Sequence, residues 1–454
     1  MQQTSINPHT GQPVHSIALL DAAGLEQRLA SAAAASAAWA AKPLAARASV
    51  LEAVAAALRA QAAQLQQAMT AEMGKLAGEA LAEIEKSARC CEHYAGHAAS
   101  YLADEVVATE AADSRVVQQP LGCVLAVMPW NFPVWQVLRC AAPALMAGNV
   151  VLLKHASNVP GCARLLGAVF AAAGVPEGVF GVLHIDNEQA AQVIADVRVA
   201  GVALTGSERA GRSIAATAGK HLKKCVMELG GSDAFIVLAD ADLPAAAAAA
   251  AASRFDNAGQ TCIAAKRFIV VDAVADAFVA ELAAQAAQRR GGDPADPATT
   301  LAPMARADLR DELERQVQAS IAAGAQLVMG GAPQAGSQTA YPATILDRVV
   351  PGMPAFDEEL FGPVAAVVRA RDAEHALALA NASQYGLAGS IWTGDVAIGQ
   401  ALALRLECGA VFVNAVVRSD VRLPFGGIKR SGFGRELGAL GIREFTNAKT
   451  LWVA

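Results

Sequence analysis

Val124-Leu125-Ala126-Val127-Met128 runs directly into Pro129-Trp130-Asn131-Phe132-Pro133, and that turn opens onto a helical stretch from Val134 to Met146. A short apolar run bounded by a turn reads as a buried strand. Two prolines in the six residues from Met128 to Pro133 fix the turn. The alternation continues downstream. Val150 to Leu153, Val179 to His184, Val202 to Leu204 and Cys225 to Glu228 read as strands, while Val159 to Ala173, Glu188 to Ala195 and Glu208 to Ala218 read as helices. Strand–helix alternation with short links predicts a parallel sheet covered on both faces. Such sheets bind ligands beyond the carboxyl ends of their strands.

A further alternating block follows, with strands near 234–237, 268–271, 326–328 and 365–368 and helices near 243–253, 273–288, 307–323 and 373–382. The fold class expected is therefore α/β, with two doubly wound parallel-sheet domains meeting near Gly230-Gly231. Upstream, Leu20 to about Leu102 is rich in Ala, Leu, Glu, Gln and Arg and reads as helix. Ala-rich helices pack closely, and no chemistry is expected from this segment.

Composition narrows the function. The 454 residues are 54% hydrophobic and 17% charged, as in a globular chain of two or three domains. A net charge of −6 gives no basic face for nucleic acid. The eight cysteines are scattered, with no CxxC pair, so neither a metal site nor a disulfide framework is expected, and a reducing compartment is. There is no signal-peptide pattern at Met1 to Pro8 and no stretch of ~18 uninterrupted apolar residues, so a cytoplasmic protein without a membrane span is expected.

The candidates for chemistry lie just after strands. Asn131, aimed by its rigid turn, could donate to an oxyanion; it could equally cap a helix. Lys154 leaves its strand where a ribose or phosphate would sit, although a solvated lysine is the plainer reading. Gly206-Ser207 precedes a helix whose N-terminal amides suit a pyrophosphate; Ser207 also suits an ordinary N-cap. Glu228 ends an apolar strand before Gly230-Gly231, as a general base of raised pKa or as a carboxylate held by backbone amides. Cys262 follows the turn Asn257-Ala258-Gly259, where a thiol can face a cleft, though a free cysteine usually packs. By composition alone, Asp357 to Pro363 reads as a charged surface loop and the glycine-dense Pro424 to Glu436 as a flexible one.

Together these stretches resemble the NAD(P)-dependent aldehyde dehydrogenase superfamily. Pro129 to Pro133, Glu228-Leu229-Gly230-Gly231, Gly259-Gln260-Thr261-Cys262, Glu359-Leu360-Phe361-Gly362-Pro363 and Pro424 to Glu436 occur in the family's order across essentially the whole chain. Within it, Leu153-Lys154-His155-Ala156, Cys262 to Phe268, Ser419-Asp420 and Phe425 to Leu437 resemble short bacterial succinate semialdehyde dehydrogenases.

The resemblance implies a cofactor-binding domain from residues 1–103 and 123–229, a catalytic domain over 230–435, and a small β oligomerisation arm from 104–122 and 436–454. It implies Cys262 as nucleophile, Asn131 with the Cys262 N–H as oxyanion donors, and Glu228 as the base that hydrolyses the thioester. Trp130, Lys154, Ser157, Gly206, Ser207, Leu229, Gly230, Glu359 and Phe361 would hold NAD or NADP. Ser157 stands where strictly NAD-using relatives often carry Glu, so NADP should be tolerated. Ala264 stands where some relatives carry a second cysteine, so a redox disulfide with Cys262 is not expected. A terminal carboxylate on the aldehyde would need cations, for which Arg139 and Ser419 match the subfamily and Arg418 is a further candidate. No metal is expected. A homodimer or homotetramer is. The competing expectations are another short aliphatic or aromatic aldehyde, an acylating enzyme using coenzyme A, and a catalytically silent binding or structural member.

Overall fold

The computed structural model describes residues 1–454. A hairpin of Gln2–Ile6 and Pro13–Ala18, not foreseen from the sequence, precedes the helical region. That region is four helices, Ala22–Ala40, Leu44–Ala60, Ala62–Met73 and Ala77–Tyr101. Pro43 lies just before the second, and Gly74, left-handed at φ 75°, ends the third.

A six-stranded sheet carries the first alternating block. Its order is Gly432–Phe433, Lys224–Glu228, Val199–Thr205, Cys123–Met128, Val150–His155 and Phe180–Val182, and all but the first are parallel. Every residue of Cys123–Met128 is buried, as a strand with helices on both faces requires. The second block forms a seven-stranded sheet in the order Gln326–Met329, Thr344–Asp347, Val364–Ala370, Ala265–Val271, Asp233–Val237, Ala388–Trp392 and Ala410–Val413. Only Gln326–Met329 runs antiparallel. One core of 65 buried residues surrounds the first sheet, and two smaller ones flank the second.

Between Glu228 and Asp233 the chain passes from one sheet to the other, but its tail crosses back. Gly432–Phe433 pairs with Met227 and Glu228, and Leu437, Ile442 and Phe445 pack in the first core. The stretch that reads as a flexible loop is thus pinned. Ser431 donates to the Gly230 carbonyl at 2.7 Å, and the Leu229 N–H donates to the Ser431 carbonyl at 3.0 Å. Its glycines admit close backbone approach: a Cβ on Gly426 would lie 2.5 Å from Glu228 Oε1. A three-stranded antiparallel sheet joins Glu105–Val106, Asp113–Pro120 and the C-terminal Thr446–Val453.

Candidate active site

Asn131 and Cys262 line one cavity at the carboxyl ends of the first sheet, and Glu228, which does not line it, ends the strand that leads into Leu229 and Gly230 of the same wall. Each reaches the site on a backbone that its neighbours hold in place. The Cys262 loop is the most strained, since Asn257 (φ 54°), Ala258 (φ 52°) and Gly259 (φ 69°) are consecutive left-handed residues. For non-glycine residues that conformation costs about 1–2 kcal/mol each, so the surroundings must impose it. Glu79 accepts from the Asn257 N–H at 2.7 Å, and the Asn257 amide donates to the carbonyls of Asn131 (3.1 Å) and Gln260 (3.2 Å). Gln260 Oε1 accepts from the Ala305 N–H at 2.9 Å, and the buried Arg254 guanidinium donates to the carbonyls of Gly259 and Ala265. The outcome is a half-buried Cys262.

The Asn131 turn is braced from beneath. His155, buried on the adjacent strand, bonds the Pro133 carbonyl at 2.9 Å, and burial pushes its pKa down to about 4. Lys75, fully buried, donates to the Asn131 carbonyl at 2.8 Å, pairs with Glu83 and lies over the Phe132 ring. Glu83 in turn accepts from the N–H groups of Val134 (2.8 Å) and Trp135 (2.9 Å), holding the start of the next helix. The Asn131 Nδ2 donates one hydrogen to the Gln260 carbonyl at 2.9 Å, which leaves its second hydrogen free. The Cys262 N–H has no acceptor within the protein. Both N–H groups are therefore free to donate to a bound group.

Glu228 is buried with neither carboxylate oxygen hydrogen-bonded, so the backbone-held alternative for this residue does not apply. Burial and then the nearby Glu436 carboxylate push its pKa well up, against Arg139 and Arg435. Cys262 is likewise pushed up, to about 11, by burial, while Arg139 and Lys266 pull it down.

A cavity of about 220 Å³ opens between the carboxyl ends of the first sheet and the Glu359–Phe361 segment. Trp130, Asn131, Gly206, Ser207, Leu229, Gly230, Cys262, Glu359 and Phe361, all expected at the site, line it with Pro129, Gln136, Thr205 and Leu309. Trp130 and Phe361 meet edge to face at 5.9 Å. Glu359 accepts from the Gly231 N–H at 3.0 Å and lies 3.3 Å from Lys266 Nζ. Ser207 caps the Glu208–Lys220 helix, accepting from the Ala210 N–H at 3.3 Å. Lys154, inside the neighbouring strand Val150–His155, and Ser157, just past its end, lie outside this cavity. Lys154 is half-buried, with its ammonium 3.2 Å from Asn187 Oδ1, and Ser157 is exposed. A glycine-bordered cradle with a helix N-terminus, aromatic walls and the Glu359 carboxylate fits a dinucleotide.

On the other side of the thiol, Thr261, Ile263 and Ala264 border a second cavity of about 340 Å³. Its walls include Phe132, Trp135, Val416 and Val417, together with Lys75, Glu79, Glu83 and Lys86. Here two expectations are corrected. The Ala-rich helices are not chemically mute, because Ala77–Tyr101 and its approach supply every one of those charged groups. Arg139, expected to grip a substrate carboxylate, lines neither cavity. It is 2% exposed, 2.5 Å from Glu436, bonded to Thr205 Oγ1 at 3.0 Å and stacked on Phe425. Its helical position turns it beneath the site, where its charge meets a buried carboxylate. Ser419 is buried and accepts from Lys86 at 2.7 Å; Arg418 is exposed and lines neither cavity. Lys75, Glu79, Glu83 and Lys86 were missed because helix formers carry no motif. The only signal was the charges at 79, 83 and 86, a spacing that places them along one helical face, with Lys75 just before the helix.

The geometry agrees with the comparisons. The chain is 50% identical over 448 residues to the Escherichia coli succinate semialdehyde dehydrogenase [NAD(P)+], covering 99% of this chain and 97% of that protein. A probable succinate-semialdehyde dehydrogenase [NADP(+)] of Synechocystis is 51% identical over 386 residues, 85% of each chain. Among solved structures, the succinic semialdehyde dehydrogenase of Streptococcus pyogenes in complex with NADP+ superposes with a TM-score of 0.97 at 38% identity over 99% of both chains. The profile of the aldehyde dehydrogenase family matches residues 1–451, and the chain belongs to that family.

Proposed function

We propose that this enzyme oxidises succinate semialdehyde to succinate with NADP or NAD, through a covalent intermediate on Cys262. The observation that supports the reading is a half-buried thiol and two free N–H donors on the wall of a dinucleotide-shaped cradle, with a buried, unbonded carboxylate at the end of the strand that leads to that wall. Relatives named for that substrate, about 50% identical across nearly the whole chain, support the choice of aldehyde.

Cys262 Sγ, as thiolate, forms a bond to the aldehyde carbon, and the carbonyl electrons move to oxygen. The second Asn131 Nδ2 hydrogen and the Cys262 N–H hold that oxyanion, a contribution worth about 10²–10³ in kcat per donor. The chemistry a bound nicotinamide supplies is hydride acceptance. Trp130, Gly206, Ser207, Leu229, Gly230, Glu359 and Phe361 would hold it, with Lys154 and Ser157 toward the adenosine end. Loss of hydride leaves a thioester on Cys262. Glu228, ionised, takes a proton from water, whose oxygen adds to the thioester carbon; collapse breaks the C–S bond and releases the acid. The sum is aldehyde, oxidised cofactor and water to carboxylic acid, reduced cofactor and a proton.

Ser157 carries no charge to repel a 2′-phosphate, so NADP is accepted. Expected from kcat/KM across an aldehyde panel with each cofactor is a maximum at succinate semialdehyde and NADP at least equal to NAD. A large NAD preference, or a better uncharged aldehyde, defeats the corresponding half of the reading. The enzyme acts in the cytoplasm, a reading supported by eight free cysteines, as a reducing compartment would keep them. The exposed tail strand, with Leu451, Trp452 and Val453 at 39–49% exposure, supports assembly of a homodimer or homotetramer through that sheet.

A further inference from the structure

The second cavity contains a cation with no carboxylate to answer it. Two cationic side chains line it. Lys75 is paired with Glu83, whereas Lys86 has no acidic group within 4.0 Å. Arg139, on the adjoining helix, is already paired with Glu436. Lys86 extends from the Ala77–Tyr101 helix across the Trp135 ring, its Nζ 4.1 Å from the ring centroid, and donates to Ser419 Oγ at 2.7 Å. Phe132, Trp135, Val416 and Val417 make the surrounding wall apolar.

The acidic groups of this cavity are engaged elsewhere. Glu83 holds Lys75 and two backbone N–H groups, Asp256 pairs with Arg289, and Glu79 holds the Asn257 N–H through Oε1 while its buried Oε2 has no partner, none of the three lying within 4.0 Å of the Lys86 ammonium. An ammonium with three donors, one hydroxyl partner and an apolar surround is a receptor for an anion. Burial pushes Lys86 down to about 8, which leaves it mostly charged near neutral pH, and a carboxylate beside it would favour that charged form further.

We propose that Lys86, with Ser419 beside it, binds the distal carboxylate of the substrate and is the residue that sets the preference for an ω-carboxylated aldehyde over an uncharged one. The assignment rests on the substrate reading above and goes further by naming the group that enforces it. Lys86 takes no part in bond making. It anchors the far end of the substrate while the aldehyde carbon meets Cys262.

The test is the ratio of kcat/KM for succinate semialdehyde to that for butanal, measured with NADP in wild type, Lys86→Met, Lys86→Gln and Lys86→Arg. Losing a charge-assisted hydrogen bond should lower the ratio about tenfold to a hundredfold in the Met and Gln variants, and it should reside in KM. Lys86→Arg should recover most of it. Lys86→Met keeps an unbranched stem over Trp135, and Lys86→Gln keeps a donor toward Ser419, so failure of either to fold leaves the other to decide. Succinate as an inhibitor competing with aldehyde gives an independent reading: its Ki should rise in step with the fall in the ratio. A preference for succinate semialdehyde that survives both substitutions unchanged overturns the role of Lys86. A wild-type enzyme that shows no such preference overturns the substrate reading instead.

Discussion

The two cavities that flank Cys262 are built from different kinds of sequence. The cofactor-side cavity is lined by turns and strand ends: Trp130, Gly206, Ser207, Leu229, Gly230, Glu359 and Phe361. The aldehyde-side cavity takes its charges from Lys75, Glu79, Glu83 and Lys86, on a helix and the turn before it. Turn and strand-end residues are constrained by backbone geometry as well as chemistry, so they cluster into short recognisable words. A helix face is constrained only at every third or fourth position and leaves no such word. Chemistry common to a family would thus sit in the first cavity, and what distinguishes one substrate from another in the second.

The strongest way to break this contrast is at Asn131 and Cys262, on the wall of the first cavity, and at Glu228, which ends the strand leading to that wall. Glu228→Gln should release about one equivalent of reduced cofactor per site in a fast burst and then turn over about 10²–10⁴-fold more slowly, because acylation survives and hydrolysis of the thioester does not. Rapid-mixing absorbance of the reduced nicotinamide reads both phases, and a slowed rate without a burst would remove Glu228 from deacylation. Cys262→Ala should show neither phase. Asn131→Ala should lower kcat by about 10²–10³ with little change in KM, the mark of an interaction made only as charge develops. A loss confined to KM would reduce Asn131 to a structural turn residue.

Asn131 and Glu228 could be found in the sequence because they sit just past or at the carboxyl end of a strand, where a parallel sheet opens to its ligand, whereas Cys262 precedes its strand and was marked by the turn Asn257-Ala258-Gly259 before it. The alternation that located the first two also located both sheets. What could not be read was the third dimension of the tail and of the N-terminal helices. Gly432–Phe433 returns to the edge of the first sheet from about 200 residues downstream, and nothing local announces a pairing of that range. Arg139 was correctly placed one helix beyond Asn131, yet its direction depends on Glu436, 297 positions away, being 436 minus 139. Sequence spacing finds the element, whereas a buried ion pair decides where the side chain ends.

The Lys75–Glu83 pair sharpens the comparison, because it belongs to the aldehyde-side helix yet holds the oxyanion residue. Both side chains are buried, and removing one partner of such a pair costs about 3–5 kcal/mol. Lys75→Met should therefore lower the thermal transition and, separately, lower kcat toward the value of Asn131→Ala, since the Asn131 carbonyl loses its 2.8 Å donor. The double variant Lys75→Met/Asn131→Ala should have nearly the kcat of Asn131→Ala alone. Additive losses in kcat would mean that Lys75 acts on something other than the Asn131 turn.

The smallest effect is in pH, and its sign follows from burial. Glu228 in the folded enzyme lies well above the ordinary carboxyl value, because of burial first and Glu436 next, with Arg139 and Arg435 opposing. A base must be ionised, so the deacylation rate should rise with pH through this raised value. Glu436→Gln removes the like charge and leaves Arg139 without its carboxylate, and both changes favour ionised Glu228. The rising limb should move to lower pH, by about one unit if the carboxylates interact across a few ångströms. Stability runs the opposite way with pH. A folded-state pKa raised above the unfolded value of about 4.3 means that the native protein keeps a proton the unfolded chain has lost. That contribution is complete below the unfolded value and is lost as pH rises through the folded one. The thermal transition of Glu228→Gln should therefore gain on the wild type from about pH 4.3 upward and level off above the pKa of Glu228. A gap independent of pH would place Glu228 in the ordinary carboxyl range, and a deacylation limb unmoved by Glu436→Gln would show that the two carboxylates are not electrostatically joined.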